Sequence, residues 1–143
     1  MRKIVVVVTM LLAVHFAQAQ SENSLVEKTL QKYIEGSSYS KLELLESAFT
    51  KDATLYLTGR DGVFKRYTPK EYVGFFKNRK KGVFNGRDGK VLAIEVVKDI
   101  AIAKVEIAGP ERKWVYIDLF LLKKFDKEWK IISKTATRTD NQK

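Results

Sequence analysis

"WVYIDLFLLKKFDKEWKIISKTATR", residues 114–138, is the stretch on which the fold turns. Alternation along a strand puts Trp114, Tyr116, Asp118, Phe120 and Leu122 on one face, and Val115, Ile117, Leu119 and Leu121 on the other. Both faces are apolar except for one carboxylate, Asp118. A two-residue turn at Asp126-Lys127 that pairs Phe125 with Glu128 folds the second half back as a partner strand. Ser133, Thr135 and Thr137 then share the Asp118 face. If Gly109 to Arg112 form the preceding turn, Ala101, Ala103, Val105 and Ile107 join them. Small residues beside aromatic ones leave space, so this face predicts an apolar pocket with a single polar group.

The opposite face has its own consequence. Val115, Ile117, Leu119 and Leu121 make a contiguous apolar patch, with Ile132 and Ala136 beside them and Lys134 and Arg138 as a polar margin. Soluble monomers seldom expose such a patch. A two-fold copy covers it most simply, so a homodimer through the outer face of the sheet is expected.

Working outward, residues 53–59, 63–67, 91–97 and 100–108 are further strands, rich in β-branched and aromatic residues. Three helices precede or interrupt them. Ser24-Leu25-Val26-Glu27 reads as a capping box opening a helix with an apolar stripe through Tyr33 and Ile34, which Gly36 ends. Ser40-Lys41-Leu42-Glu43 opens a second helix, carrying Leu44, Leu45, Ala48 and Phe49. Thr68-Pro69-Lys70-Glu71 opens the third, with proline at the first helical position. Its buried side includes Tyr72, Val73, Phe75 and Phe76. The order predicts an α+β domain, a curved antiparallel sheet of about six strands with three helices on its concave face.

Gly-Arg-Asp-Gly occurs twice, at 59–62 and 86–89. The flanks differ, so it is not a repeat. The first copy joins two strands and the second enters one, whereas a nucleic-acid-clamping Gly-x-x-Gly loop joins two helices. Both copies read as turns.

The N-terminus narrows the chemistry. Arg2 and Lys3, an apolar run from Ile4 to Val14, and Ala17-Gln18-Ala19 form the pattern of a secretory signal peptide over residues 1–19. The run is too short for a stable membrane anchor. With no cysteine in the chain there is none to acylate. The expected product is an exported domain over 20–143, periplasmic or secreted, in a bacterium. Cleavage removes the one histidine and both methionines, and lowers the formal charge of +10 by two. No Ser-His-Asp or Cys-His system can form in what remains, nor an ordinary zinc site, and no cofactor is implied. The basic loop Lys77, Arg79, Lys80 and Lys81 reads as a solvated face, with attraction to anionic surfaces or ligands as the alternative. Nucleic acid is not expected as a partner, because an exported protein rarely meets it.

The helix order, "AFTKDATLYL" at 48–57 and "YIDLFLLKKFDKEWKIISK" at 116–134 resemble the "putative lumazine-binding" family of the nuclear transport factor 2 superfold, over Leu25 to Arg138. Two positions depart from the family pattern: Thr50 stands where histidine is usual, and Lys127 where glycine is usual. The resemblance implies a cone-shaped α+β domain with a ligand pocket, and relatives that often pair through the sheet.

"QKYIEG" at 31–36 and "IDLF" at 117–120 also resemble ketosteroid isomerase, of the same superfold. That likeness carries the oxyanion-holding pair onto Tyr33 and Asp118, the aspartic acid being protonated and titrating above an ordinary aspartate. The proton-abstracting base falls at Leu57, which cannot take a proton. The expectation is therefore a binding module rather than an enzyme, with no catalytic residue assigned. Tyr33, Asp118, Tyr116, Trp114, Phe49 and Phe120 are the ligand-binding candidates, and an aromatic or carbonyl-bearing small molecule the ligand. The alternative is an isomerase, dehydratase or cyclase. A structural hydrogen bond between Tyr33 and Asp118 in a closed core is the third reading.

Overall fold

The computed structural model describes residues 22–59 and 61–140. The expected signal peptide lies outside them. Among the described residues no helix is long and apolar enough to cross a membrane. Helix α1 occupies 22–38, α2 Leu42–Ser47 and α3 Pro69–Gly74. The strands are β1 Phe49–Thr58, β2 Phe64–Tyr67, β3 Asp88–Val97, β4 Ile100–Ala108, β5 Val115–Phe125 and β6 Glu128–Arg138. They form one curved, open sheet in the order β2-β1-β6-β5-β4-β3.

The sheet is not wholly antiparallel. β1 runs parallel to β6, with Thr54 opposite Ser133 and Tyr56 opposite Thr135. All other neighbours are antiparallel. A parallel pair needs a long crossover. Here everything from β2 to β5 supplies it, so the parallel pairing could not be read from either strand alone.

The helices follow their apolar stripes more closely than their caps. In α1, Val26, Leu30, Tyr33 and Ile34 are buried, at the three- and four-residue spacing that puts them on one face. The helix is already formed at Ser24 and continues past Gly36, so neither residue bounds it. Gly36 is there for contact: a Cβ on it would lie 2.6 Å from the backbone nitrogen of Leu45 in α2. Ser40 is not the cap of α2 either. Lys41 holds that position without a side-chain bond, and Ser40 takes a positive φ of 50° just before it. Phe49 belongs to β1 rather than to α2. α3 starts as expected, with Thr68 and Glu71 exchanging both bonds of a capping box around Pro69.

β4 and β5 pair as the alternation predicts: Val105 faces Asp118, Ala103 faces Phe120 and Ala101 faces Leu122. Between β5 and β6 the turn at 126–127 sets the expected register from Phe125–Glu128 to Leu122–Ile131. The register then slips by one residue, with Leu121 opposite Ser133, Phe120 opposite Lys134 and Asp118 opposite Ala136. This is a β-bulge at Ile132. A one-residue slip transfers every later side chain to the other face. Ser133, Thr135 and Thr137 therefore pair with Leu121, Leu119 and Ile117 instead of joining Asp118. Lys134 and Ala136, expected outside, join the Asp118 face.

On the outer face Ile102, Leu119 and Leu121 are each about half exposed. Val115 departs from that set. It is buried under the chain end, where its N–H donates to Asp140 Oδ1 and its carbonyl accepts from Thr139 N–H.

Candidate functional site

The site is built where α1 and α3 cross the inner face of the sheet. Tyr33 from α1 is fully buried, and its O–H donates to Asp118 Oδ2 at 2.6 Å. A phenol has one proton, so its remaining contacts must be accepted. Arg87 Nη2 donates to Tyr33 Oη at 2.8 Å, and the Tyr72 hydroxyl from α3 lies 2.7 Å away and serves as donor. The hydroxyl of Tyr33 is thus saturated within the protein. Burial first, and then the negative charge of Asp118, push its pKa well above the usual phenol range, so it stays neutral.

Asp118 faces a lysine that the sequence reading placed on the outer face of the sheet. Its Oδ2 lies 3.1 Å from Lys134 Nζ, with each side chain 2 % exposed. Arg87 Nη2 stands 3.9 Å from the same oxygen. The bulge at Ile132 is the cause, because it turns Lys134 inward beside the carboxylate. Lys134 Nζ also lies 5.5 Å from the ring centre of Tyr72 and 5.8 Å from that of Tyr33. Aromatic faces supply part of the solvation that a buried ammonium loses.

Arg87 comes from the second Gly-Arg-Asp-Gly, which is more than a turn. Gly86 takes the positive φ, Asp88-Gly89 opens β3, and Arg87 between them is directed into the core. Its Nε donates to Ser37 Oγ at 3.0 Å. Its backbone N–H donates to Asn85 Oδ1, while Asn85 Nδ2 donates to the Ser37 carbonyl. Burial alone would lower the pKa of Arg87, but Tyr33, Tyr72 and Asp118 outweigh it and hold the guanidinium charged.

Beside this cluster lies a cavity of about 930 Å³. Asp118, Lys134, Arg87 and Tyr72 form its polar floor, and Tyr67, Phe75, Phe76, Trp114 and Tyr116 stand in its walls. Trp114 is held edge-on to Tyr116, with ring centres 5.8 Å apart. Its indole lies against Gly109, where a Cβ would come within 2.1 Å of the ring, so only glycine admits it. Leu57 lies in the wall as well. Arg79, from the basic loop, lines the cavity, whereas Lys81 of that loop turns away to Glu43 at 3.0 Å.

Of the six candidate residues, Asp118, Tyr116 and Trp114 reach the cavity. Tyr33 lies beneath it. Phe120 and Phe49 lie deeper, packed edge-on against the Tyr33 ring at 5.0 and 6.1 Å. Sequence reasoning missed Lys134 and Arg87 as site residues and placed Tyr72 only in the core. Lysine in a strand and arginine in a glycine-rich stretch both read as solvent-facing.

The family described as "Putative lumazine-binding" matches residues 21–136. The chain belongs to that family. No curated protein matches it. Among solved structures it is similar to an NTF2-like protein of unknown function from Shewanella baltica, at 19% identity and a TM-score of 0.73, covering 85% of this chain and 96% of that one. An NTF2-like protein of unknown function from Methylobacillus flagellatus aligns at 24% identity and a TM-score of 0.71, covering 84% and 94%. A ketosteroid isomerase-like protein from Erwinia carotovora atroseptica aligns at 15% identity and a TM-score of 0.60, covering 82% and 96%. At these identities the three likenesses establish the NTF2-like fold of the family member and nothing of its ligand.

Proposed function

We propose that this family member is an exported small-molecule-binding domain that takes an aromatic or carbonyl-bearing ligand into the inner cavity. The observation that carries the reading is the polar floor beneath aromatic walls: Asp118 and Lys134, both almost wholly buried, meet the cavity between Tyr72 and Tyr116. A few fixed polar groups in an aromatic-lined space of this size are the usual make-up of a ligand pocket. In this reading Tyr33 and Arg87 hold the floor in place, and the Lys134 ammonium and Asp118 carboxylate meet the polar edge of the ligand. Native mass spectrometry of mature protein purified from its own host tests it. A retained small molecule, absent from Ala136→Trp protein that fills the cavity, is the expected result. Ligand-free protein in every preparation would count against it.

An isomerase, dehydratase or cyclase is the alternative that the fold also accommodates, with the Tyr33–Asp118 pair present at 2.6 Å although Tyr33 lies beneath the cavity. Leu57 in the cavity wall, where a base would be needed, weighs against it. On the binding reading, the mature protein leaves a β,γ-unsaturated ketone unchanged. Turnover that is lost in Asp118→Asn would favour the enzyme.

Two further parts of the proposal concern the whole molecule. Export is supported by the signal-like residues 1–19, and N-terminal sequencing of the secreted or periplasmic protein should begin at Gln20. Pairing of two copies is supported by the exposed row of Ile102, Leu119 and Leu121 on the outer face, with Tyr56 beyond it.

A further inference from the structure

The cavity carries more positive charge than the protein neutralises. Arg79, Arg87, Lys134 and Arg138 all line it. Arg138 is matched by Asp140 at 2.7 Å, and that carboxylate's pKa is lowered to about 2, chiefly by this bond. Arg87 and Lys134 share one carboxylate, Asp118, and Lys134 is the nearer at 3.1 Å. Arg79 stacks near the Phe76 ring, its guanidinium carbon 5.9 Å from the centroid, and makes no ion pair among the described residues. Two positive charges therefore face the cavity without a counter-charge. One of them belongs to the Arg87–Lys134 pair at the floor, whose side chains are 13 % and 2 % exposed.

A buried cation short of counter-charge is unfavourable, and an anion beside it relieves the cost. Chloride or another small anion could balance the charge but could not fill about 930 Å³ walled by aromatic rings. A flat aromatic ring with an acidic substituent supplies the charge and packs against those walls. We infer that the ligand is an aromatic carboxylate, with its ring among Tyr67, Phe75, Trp114 and Tyr116 and its carboxylate toward Lys134 and Arg79. This rests on the small-molecule reading above and narrows it to a charge class. It also gives the basic loop a role through Arg79 alone.

A matched pair of probes, naphthoate and its uncharged amide naphthamide, tests the inference by calorimetry on the mature protein. The carboxylate should bind roughly ten- to a hundredfold tighter, the range a charge-assisted contact supplies. Added salt should narrow the gap. Arg79→Gln, on an exposed position, should shrink the preference several-fold, and Lys134→Gln should shrink it further. If Lys134→Gln does not fold, Arg79→Gln alone carries the comparison. Equal binding of the two probes, or a preference that both variants leave intact, overturns the anionic class while leaving small-molecule binding in place. Failure of both probes to bind at millimolar concentration overturns the two readings together.

Discussion

Lys134 and Asp118 meet at 3.1 Å with almost no solvent on either side chain. The relationship is asymmetric under mutation. Removing Asp118 strands Lys134 and Arg87 together, which typically costs about 3–5 kcal/mol, whereas removing Lys134 leaves Asp118 with Arg87 at 3.9 Å. Asp118→Asn should therefore destabilise the protein by roughly 3 kcal/mol in urea unfolding, and Lys134→Met by less. Adding Lys134→Met to Asp118→Asn should recover part of that loss, because one of the two stranded cations goes with it. Additive losses would show that the two charges are not energetically coupled.

Tyr33 makes stability depend on alkaline pH. Its folded pKa is raised above the usual phenol value, by burial first and Asp118 second. The unfolded chain releases this proton near pH ~10 while the folded chain keeps it. The stabilisation is thus complete below that pH and is lost progressively as pH rises toward the folded pKa. Urea titrations at rising alkaline pH should show a steeper fall for the unmodified protein than for Tyr33→Phe. Identical slopes would mean that Tyr33 ionises freely.

Gly36→Ala tests the contact between α1 and α2. Alanine favours a helix interior by up to ~1 kcal/mol over glycine. The new Cβ, however, would sit 2.6 Å from the Leu45 nitrogen and 2.7 Å from its Cα. Backbone cannot step aside as a side-chain tip can, and overpacking of this kind costs about 1–3 kcal/mol. A net destabilisation of about 1–2 kcal/mol is expected. A stabilised variant would show that the two helices can separate without loss.

The outer face gives a prediction in solution. If Ile102, Leu119 and Leu121 pack against a second copy, sedimentation at micromolar concentration should give twice the mass of the mature chain. Leu119→Lys should return it to a monomer with unchanged stability of the single chain. A monomer in the unmodified protein would leave this face without a two-fold partner.

The sequence reading located the strands and the apolar stripes because burial imposes a period that residues must obey. Leu30 and Tyr33 in α1, and Phe120 and Leu122 in β5, are buried as their spacing requires. Thr68 and Glu71 were legible as a cap because their bonds are local. The polar floor was not legible. Residues 133–138 are polar on both faces, so nothing in their pattern distinguishes one register from its neighbour. The Asp126-Lys127 turn gives the right register for the first few pairs and no warning of the slip. Arg87 lies between Gly86 and Gly89, in a stretch whose composition signals a turn and whose long-range bonds to Ser37 and Tyr33 leave no local trace.

The bulge at Ile132 makes the lining of this cavity sensitive to chain length as well as to residue type. One extra residue inserted just before Ser133, with the bulge retained, would carry Lys134 to the outside and bring the hydroxyls of Ser133 and Thr135 to the floor. The nearer of the two cations beside Asp118 would be lost without any substitution in the site. Insertions and deletions of a single residue in this strand are thus a route by which a sheet of unchanged shape can exchange a lysine-bearing floor for a hydroxyl-lined one.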